Sequence, residues 1–242
     1  MFWLRPSGDA GLLGLSMPEE DGGMGGDYRH EVVLMRQLGW KGADHFGISL
    51  HNAIVMPYIW HYGTAEQKAR WLPRLQSGEL VGAIAMTEPG AGSDLRGMKT
   101  RARQDGHDFV INGTKHFISH ADLADYVILF AASGEEQTSK GVKKKITGFL
   151  VDFNSKGCER VKGYNCVSNN GYHNMILNFD NCRVPARNVL GEEHKGFDAA
   201  NEWLGATRLQ VAAVCIGRAR RALKLSIEWA ATREQFGQQI GK

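Results

Sequence analysis

The residues best suited to chemistry crowd into one stretch, Met86-Thr-Glu-Pro-Gly-Ala-Gly-Ser-Asp94. Pro89, Gly90 and Gly92 in quick succession suit no helix or strand. The apolar run Val81–Ala85, which reads as a buried strand, must therefore break there. Glycines leave backbone N–H groups approachable, which suits a bound anion or an acceptor-rich ring. Thr87, Ser93 and Asp94 add short polar side chains at the same place. Composition alone leaves a surface turn and a binding loop equally open. The stretch is not a dinucleotide fingerprint. Gly90-x-Gly92 is followed by Ser93, Asp94 and Leu95, so the third glycine of G-x-G-x-x-G is missing, and Gly97 falls too late.

Other chemistries find less support. No H-E-x-x-H occurs among the nine histidines. His116 and His120 stand four apart on a strand-to-loop segment, a spacing that puts them on no common face, so a metal site is not expected. Cys158, Cys166, Cys182 and Cys215 form no C-x-x-C, which fits a reducing compartment. Of 242 residues, 43% are hydrophobic and 23% charged, the balance of a globular chain large enough for a sizeable core. A formal charge of +3, with no basic block beyond Lys143–Lys145, argues against nucleic acid. No apolar run reaches the roughly 18 residues of a membrane span. The first residues lack the charged-then-apolar layout of a signal peptide.

The elements that must position the loop read as helices, then strands, then a helix. Tyr28–Trp40 has a helical apolar pattern ending at Gly39, and His45–Tyr62 is a second apolar stretch. Thr64-x-x-Gln67 is a capping box, so a third helix starts there; Pro73 should kink or end it, and Trp71 belongs to the core. From Val81 the period changes. Asp105-Gly106 predicts one turn, and Asn112-Gly113 predicts a hairpin between Phe109–Ile111 and Thr114–Ser119. Tyr126–Ala132, Ile146–Asp152 and Met175–Phe179 are further strands, and Glu135–Lys145 a solvated excursion. Short strands joined by tight turns predict an antiparallel barrel or sandwich. After Gly196 a long proline-free helix follows to about Arg233, with Ile216, Ala219, Leu223 and Ile227 along one stripe. A lone helix so long needs a partner surface, which predicts an incomplete helical domain there.

Four ordered stretches resemble one family. MTEPGAGSD resembles the flavin-binding segment of the acyl-CoA dehydrogenases. Gly113–Ser119 (GTKHFIS) is similar to that family's G-x-K-x-W-I-T, and Phe179–Pro185 (FDNCRVP) with Gly191 to its F-D-x-V-x-V-P … L-G. Thr232–Gly237 (TREQFG) is similar to its R-x-x-F-G. The matches run from about residue 11 onward. The resemblance implies an α+β multidomain fold, truncated at both ends. Residues 1–80 would be a partial helical domain, 81–195 a central β-barrel or sandwich, and 196–242 the first long helix of a C-terminal bundle. One departure is clear. Where many members carry Met-Gly-x-Arg, this chain has Val167-Ser-Asn-Asn-Gly171, which leaves acyl-chain preference open.

The implied activity is α,β-dehydrogenation of an acyl-CoA. A carboxylate takes the α-proton, and the β-hydrogen passes as hydride to N5 of FAD. Ile84, Met86 and Thr87 match positions that serve the flavin's polar edge. Phe117 stands where most members have Trp against the ring, followed by Ile118. Ser119 matches a Thr whose hydroxyl reaches N5. Gly92 and Ser93 would meet phosphate or thioester oxygens. Arg233, Gln235 and Phe236 match residues that reach the pyrophosphate from a neighbouring subunit, which implies a homodimer or homotetramer. Arg208 would brace the active site, though a plain ion pair suits it equally. Thr207 stands where one branch of the family carries its catalytic glutamate; Glu202, about 140° round the helix, is a poor substitute. No catalytic base is therefore assigned. An electron-transfer flavoprotein or similar acceptor, and a cytoplasmic or mitochondrial-matrix location, complete the expectation. Alternatives are a non-catalytic flavin- or partner-binding module, an oxidase on the same fold, and a flavin monooxygenase.

Overall fold

A computed structural model describes residues 4–43, 45, 47–139, 141–167, 171 and 173–242. Ser168–Asn170 and Tyr172, in the segment that departs from the family pattern, lie outside these. The chain opens with helices α1 (Leu4–Asp9) and α2 (Tyr28–Lys41). A continuous rod follows, made of α3 (Ile48–Leu50), a π-helical turn His51–Val55 and α4 (Met56–Tyr62). Then comes α5 (Ala65–Gln76). The capping box is formed: Gln67 N donates to Thr64 Oγ1 at 3.2 Å and Thr64 N to Gln67 Oε1 at 3.0 Å. Pro73 does not end α5, which runs on to Gln76 because Leu72 and Leu75 on either side are buried. Trp71 is a core residue, its ring 4.4 Å from that of Tyr126. Nor does α2 stop at Gly39; its left-handed cap is Gly42.

The π turn carries a buried polar contact. Asn52 Nδ2 donates to both carboxyl oxygens of Glu31, at 2.9 and 2.7 Å, and Asn52 Oδ1 accepts from Gly14 N at 2.6 Å. Burial, opposed by the Asn52 and Ser16 hydrogen bonds, pushes the Glu31 carboxyl up from 4.5 to about 7. A carboxyl with a raised folded pKa binds its proton more tightly when folded, so its contribution is full below about 4.5 and lost as pH rises through about 7. Glu31→Gln should therefore gain on wild type by roughly 2–3 kcal/mol between pH 5 and pH 8 in urea melts. A pH-independent difference would refute the assignment.

Eight strands form a curled, barrel-like sheet. They are β1 (Gly82–Ala85), β2 (Arg101–Asp105), β3 (Asp108–Ser119), β4 (Tyr126–Thr138), β5 (Gly141–Asp152), β6 (Cys158–Tyr164), β7 (Asn174–Pro185) and β8 (Val189–Leu190). The order is β6-β7-β3-β2-β4-β5-β8, with β1 also on β4. Most pairs are antiparallel, but β1 and β2 run parallel to β4, so the sheet is mixed. β4 alternates between two cores. Val127 and Leu129 join the one with Phe149 and Leu177; Tyr126, Ile128 and Phe130 join the one with Tyr58, Ile59 and Leu75.

One turn expectation fails, while the solvated excursion keeps its exposure and is built of strand. Glu135–Lys145 is a regular hairpin extension, with Glu135 opposite Lys144 and Glu136 opposite Lys143. Asn112-Gly113 is no hairpin turn but lies inside the single strand β3, opposite a bulge at Asp180 and Asn181. Asn112 Oδ1 accepts from Asn181 N at 2.9 Å. A Cβ on Gly113 would lie 2.5 Å from Thr100 Oγ1, so glycine is required there by close approach.

Helix α6 (Gly196–Thr232) closes the fold, followed by the small hairpin β9 (Glu234–Gln235) and β10 (Gln238–Gln239). α6 meets α2 at two glycines. A Cβ on Gly39 would lie 2.4 Å from Val214 O, and one on Gly217 2.2 Å from Arg36 O. The buried face is therefore Gln210, Ala213 and Gly217. The expected stripe points outward: Ile216, Leu223 and Ile227 are exposed.

Candidate functional site

The loop after β1 is built on a tight turn. Ala91 N donates to Glu88 O at 3.1 Å and Glu88 N to Ala91 O at 2.9 Å, with Pro89-Gly90 at the tip. Neither Gly90 nor Gly92 has a left-handed φ, and no atom lies within 4 Å of where their Cβ atoms would stand. The fold itself thus makes no demand for glycine at either place.

Beside this loop β3 bulges. His116 and Phe117 together oppose the single residue Ile176, between the pairs Lys115–Leu177 and Ile118–Met175. Phe117 is left-handed, at φ 56°. A bulge re-aims the side chain it carries. Here the Phe117 ring is turned out, 49% exposed, and stacked on Tyr164 at 4.4 Å between centroids. His116 N donates to Thr87 O at 3.0 Å, so loop and bulge form one shelf.

A buried ion pair pins that shelf. Lys115 Nζ donates to Glu88 Oε1 at 2.8 Å and to Met86 O at 2.9 Å, and both side chains are almost wholly excluded from solvent. Glu88 also accepts from Lys99 N at 2.6 Å and Thr100 N at 3.0 Å. Burial opposes the Glu88 charge, but Lys115 and the two backbone donors outweigh it and hold the carboxyl below its ordinary range. Burial lowers the Lys115 amine, against the pull of Glu88.

Two cavities flank α6. The first, about 390 Å³, lies between the Ser49–Ile54 rod, the end of β3 and α6; it brings Ser119 and Thr207 together. Ser119 Oγ donates to Asn174 Oδ1 at 2.9 Å, and Asn174 Nδ2 to Cys166 Sγ at 3.0 Å. Thr207 Oγ1 donates to Leu204 O of its own helix at 3.2 Å. His120 also lines this cavity, and burial drives its imidazole down to about 4, so it is neutral at pH 7. Among the described residues no carboxylate lines it. Glu202 lies elsewhere, accepting from the Tyr62 hydroxyl. The second cavity, about 400 Å³, brings Ser93 and Arg208 together, with Asp94, Arg96 and Asn201.

Arg233, Gln235 and Phe236 are not brought to either cavity. They sit on the hairpin beyond α6, a helix roughly 54 Å long at 1.5 Å per residue. Phe236 is left-handed at the hairpin tip and fully exposed. Among the described residues no cluster of three or more His, Cys, Asp or Glu could hold a metal ion, and no helix is long and apolar enough to cross a membrane. Sequence reading passed over Glu88, Lys115, Asn174 and Gln210. Glu88 lies in the loop after β1 and Lys115 in the mixed strand β3, and no local pattern marks either as one half of a pair.

Three family models match in succession. They are the acyl-CoA dehydrogenase N-terminal domain over residues 2–79, its middle domain over 83–182 and its C-terminal domain over 194–242. The mitochondrial long-chain specific acyl-CoA dehydrogenase of Sus scrofa is 36% identical over 97% of this chain and 54% of that protein. The crystal structure of an acyl-CoA dehydrogenase from Geobacillus kaustophilus superposes with a TM-score of 0.91 at 36% identity, covering 100% of this chain and 63% of that one. A glutaryl-CoA dehydrogenase from Mycobacterium smegmatis, in complex with FADH2, gives 0.88 at 31% identity over 98% of this chain and 59% of that one. The chain thus spans between about half and two thirds of the length of these relatives. Matched along its length by all three models and sharing the fold of these structures, the chain belongs to the acyl-CoA dehydrogenase family.

Proposed function

We propose that this chain carries the flavin shelf and part of the substrate cleft of an FAD-dependent acyl-CoA dehydrogenase. The observation that carries the reading is the union of the Thr87 loop with the Phe117 bulge, beside a cavity shared by Ser119 and Thr207. A flavin ring needs a flat apolar surface and hydrogen-bond partners along its polar edge. The half-exposed Phe117 ring suits the flat face, and the hydroxyls of Thr87 and Ser119 with the peptide groups of Ile84, Met86 and Ile118 suit the polar edge. Glycine at 90 and 92, without steric need, supports close approach of a ligand.

When bound, FAD supplies the two-electron acceptor for the β-hydrogen. The chain's own residues orient and enclose. Ser93 and Arg208 suit the oxygens of the thioester arm, Arg208 as a forked permanent cation. Leu50 and Ile54 exclude water from the first cavity, and Thr207 shapes its wall. Arg233, Gln235 and exposed Phe236 suit contact with the flavin of a second copy, in a homodimer or homotetramer. An electron-transfer flavoprotein would take the electrons onward.

A second reading, a non-catalytic flavin-binding module, is favoured by the lack of a carboxylate among the described residues of the first cavity. Reconstitution and turnover separate the two. FAD should give a yellow protein, and Phe117→Ala should weaken its hold. Ferrocenium reduction with a panel of acyl-CoAs then supports dehydrogenation; yellow but inert protein supports the module. Protein left colourless sinks both.

A further inference from the structure

One wall of the first cavity depends on an irregular turn. Met56 N donates to His51 O, five residues back, so the rod takes in one residue more than an α-turn would. Each residue of an α-helix advances by about 100°, so the rod before this turn is rotated by roughly that much from where an unbroken helix would carry it. The part after it is fixed, since Met56, Tyr58 and Ile59 of α4 are buried in the core. The rotation therefore falls on Ser49 and Leu50, which line the cavity together with Ile54.

Side chains grip the turn from two sides. His51 Nε2 donates to Leu75 O of α5 at 2.8 Å. On the other side Asn52, 1% exposed, uses its whole amide. Its Oδ1 accepts from Gly14 N, while Nδ2 donates to Leu12 O at 3.1 Å and to the carboxyl of Glu31, which is 0% exposed. A buried amide tied so fully is costly to displace. Neither Asn52 nor Glu31 lines the cavity itself.

We infer that Asn52 is a positioning residue for chain-length specificity: by holding the π turn against α2 it fixes Leu50 and Ile54 as the apolar wall on which the chain of an acyl thioester packs. The inference rests on the acyl-CoA reading above and adds to it what sets the substrate's length.

The chain reconstituted with FAD is titrated calorimetrically with butyryl-, hexanoyl-, octanoyl- and decanoyl-CoA. Wild-type affinity should rise about fourfold for each added methylene until the cavity is full. In Asn52→Leu the rise should fall to twofold or less per methylene, with butyryl-CoA bound as in wild type. Glu31→Leu changes no residue of the rod and leaves Nδ2 bonded to Leu12 O, so it serves where Asn52→Leu fails to fold; it should flatten the series in part. Glu31→Gln keeps an acceptor for Nδ2 and should keep the wild-type profile. A profile unchanged in the disrupted variants overturns the inference. So does an equal loss at every chain length, which is the mark of a merely structural role. A flat series in wild type would mean that the chain does not lie along this wall, and overturns it as well. Failure of wild type to bind any acyl-CoA would overturn the acyl-CoA reading itself.

Discussion

Lys115→Met should destabilise this protein by about 3–5 kcal/mol, the cost of leaving one member of a buried ion pair uncompensated. The ammonium has 0% side-chain exposure and the partner Glu88 5%. Its loss leaves the Glu88 carboxylate facing only the two backbone donors of Lys99 and Thr100. For a chain of this size the melting temperature should fall by roughly 10 °C. Adding Glu88→Gln should recover a good part of the loss, because the stranded charge is then gone and one amide oxygen still accepts. Thermal and urea melts of the two singles and the double decide this. A double mutant as unstable as the sum of the singles would mean that the two groups do not act as a pair. Since Lys115 also holds Met86 O, any flavin affinity should fall with it.

Gly217→Val should lift α6 off α2. Its Cβ would lie 2.2 Å from Arg36 O and 2.7 Å from Trp40 N, backbone atoms that no rotamer change can move aside. Overpacking of this kind costs about 1–3 kcal/mol, and the upper end is expected at so short an approach. Gly205, on the same helix, has open space where its Cβ would stand. Gly205→Ala should therefore stabilise by about 0.5–1 kcal/mol, through helix propensity alone. Opposite signs at two glycines of one helix make a sharp test. If both substitutions destabilise, the contact with α2 is not what demands glycine at 217. The consequence reaches the site. α6 is one wall of both cavities, so a helix that retreats at Gly217 should widen the cavity that Thr207 and Gln210 line.

Much of the fold was legible from local chemistry. The Thr64–Gln67 cap, the strands Tyr126–Ala132 and Ile146–Asp152, and the long final helix each follow from short-range signals: a side chain that satisfies its own helix end, or an apolar period of two or 3.6. The misses share a cause. Asn112-Gly113 has turn chemistry, yet Gly113 is there for its closeness to Thr100, thirteen residues earlier in the chain. Gly39 looks like a helix stop and is a helix contact. The stripe of Ile216, Leu223 and Ile227 is no miss: it has the expected period and lies exposed, while the face of α6 buried on α2 was chosen by where two backbones could touch.

By itself, then, the order of residues determined which segments are helix or strand, that a Pro-Gly loop follows a buried strand, and the family. Tertiary structure decided that Lys115 meets Glu88, that a bulge turns Phe117 out beside Thr87, and that Thr207 and Arg208 face different cavities. The division has a physical reason. Periodicity and capping are interactions within a few residues and are written along the chain. Buried charge pairing, close helix approach and cavity lining depend on groups from 27 residues apart (Glu88 and Lys115) to 181 apart (Arg36 and Gly217), whose meeting no local pattern encodes.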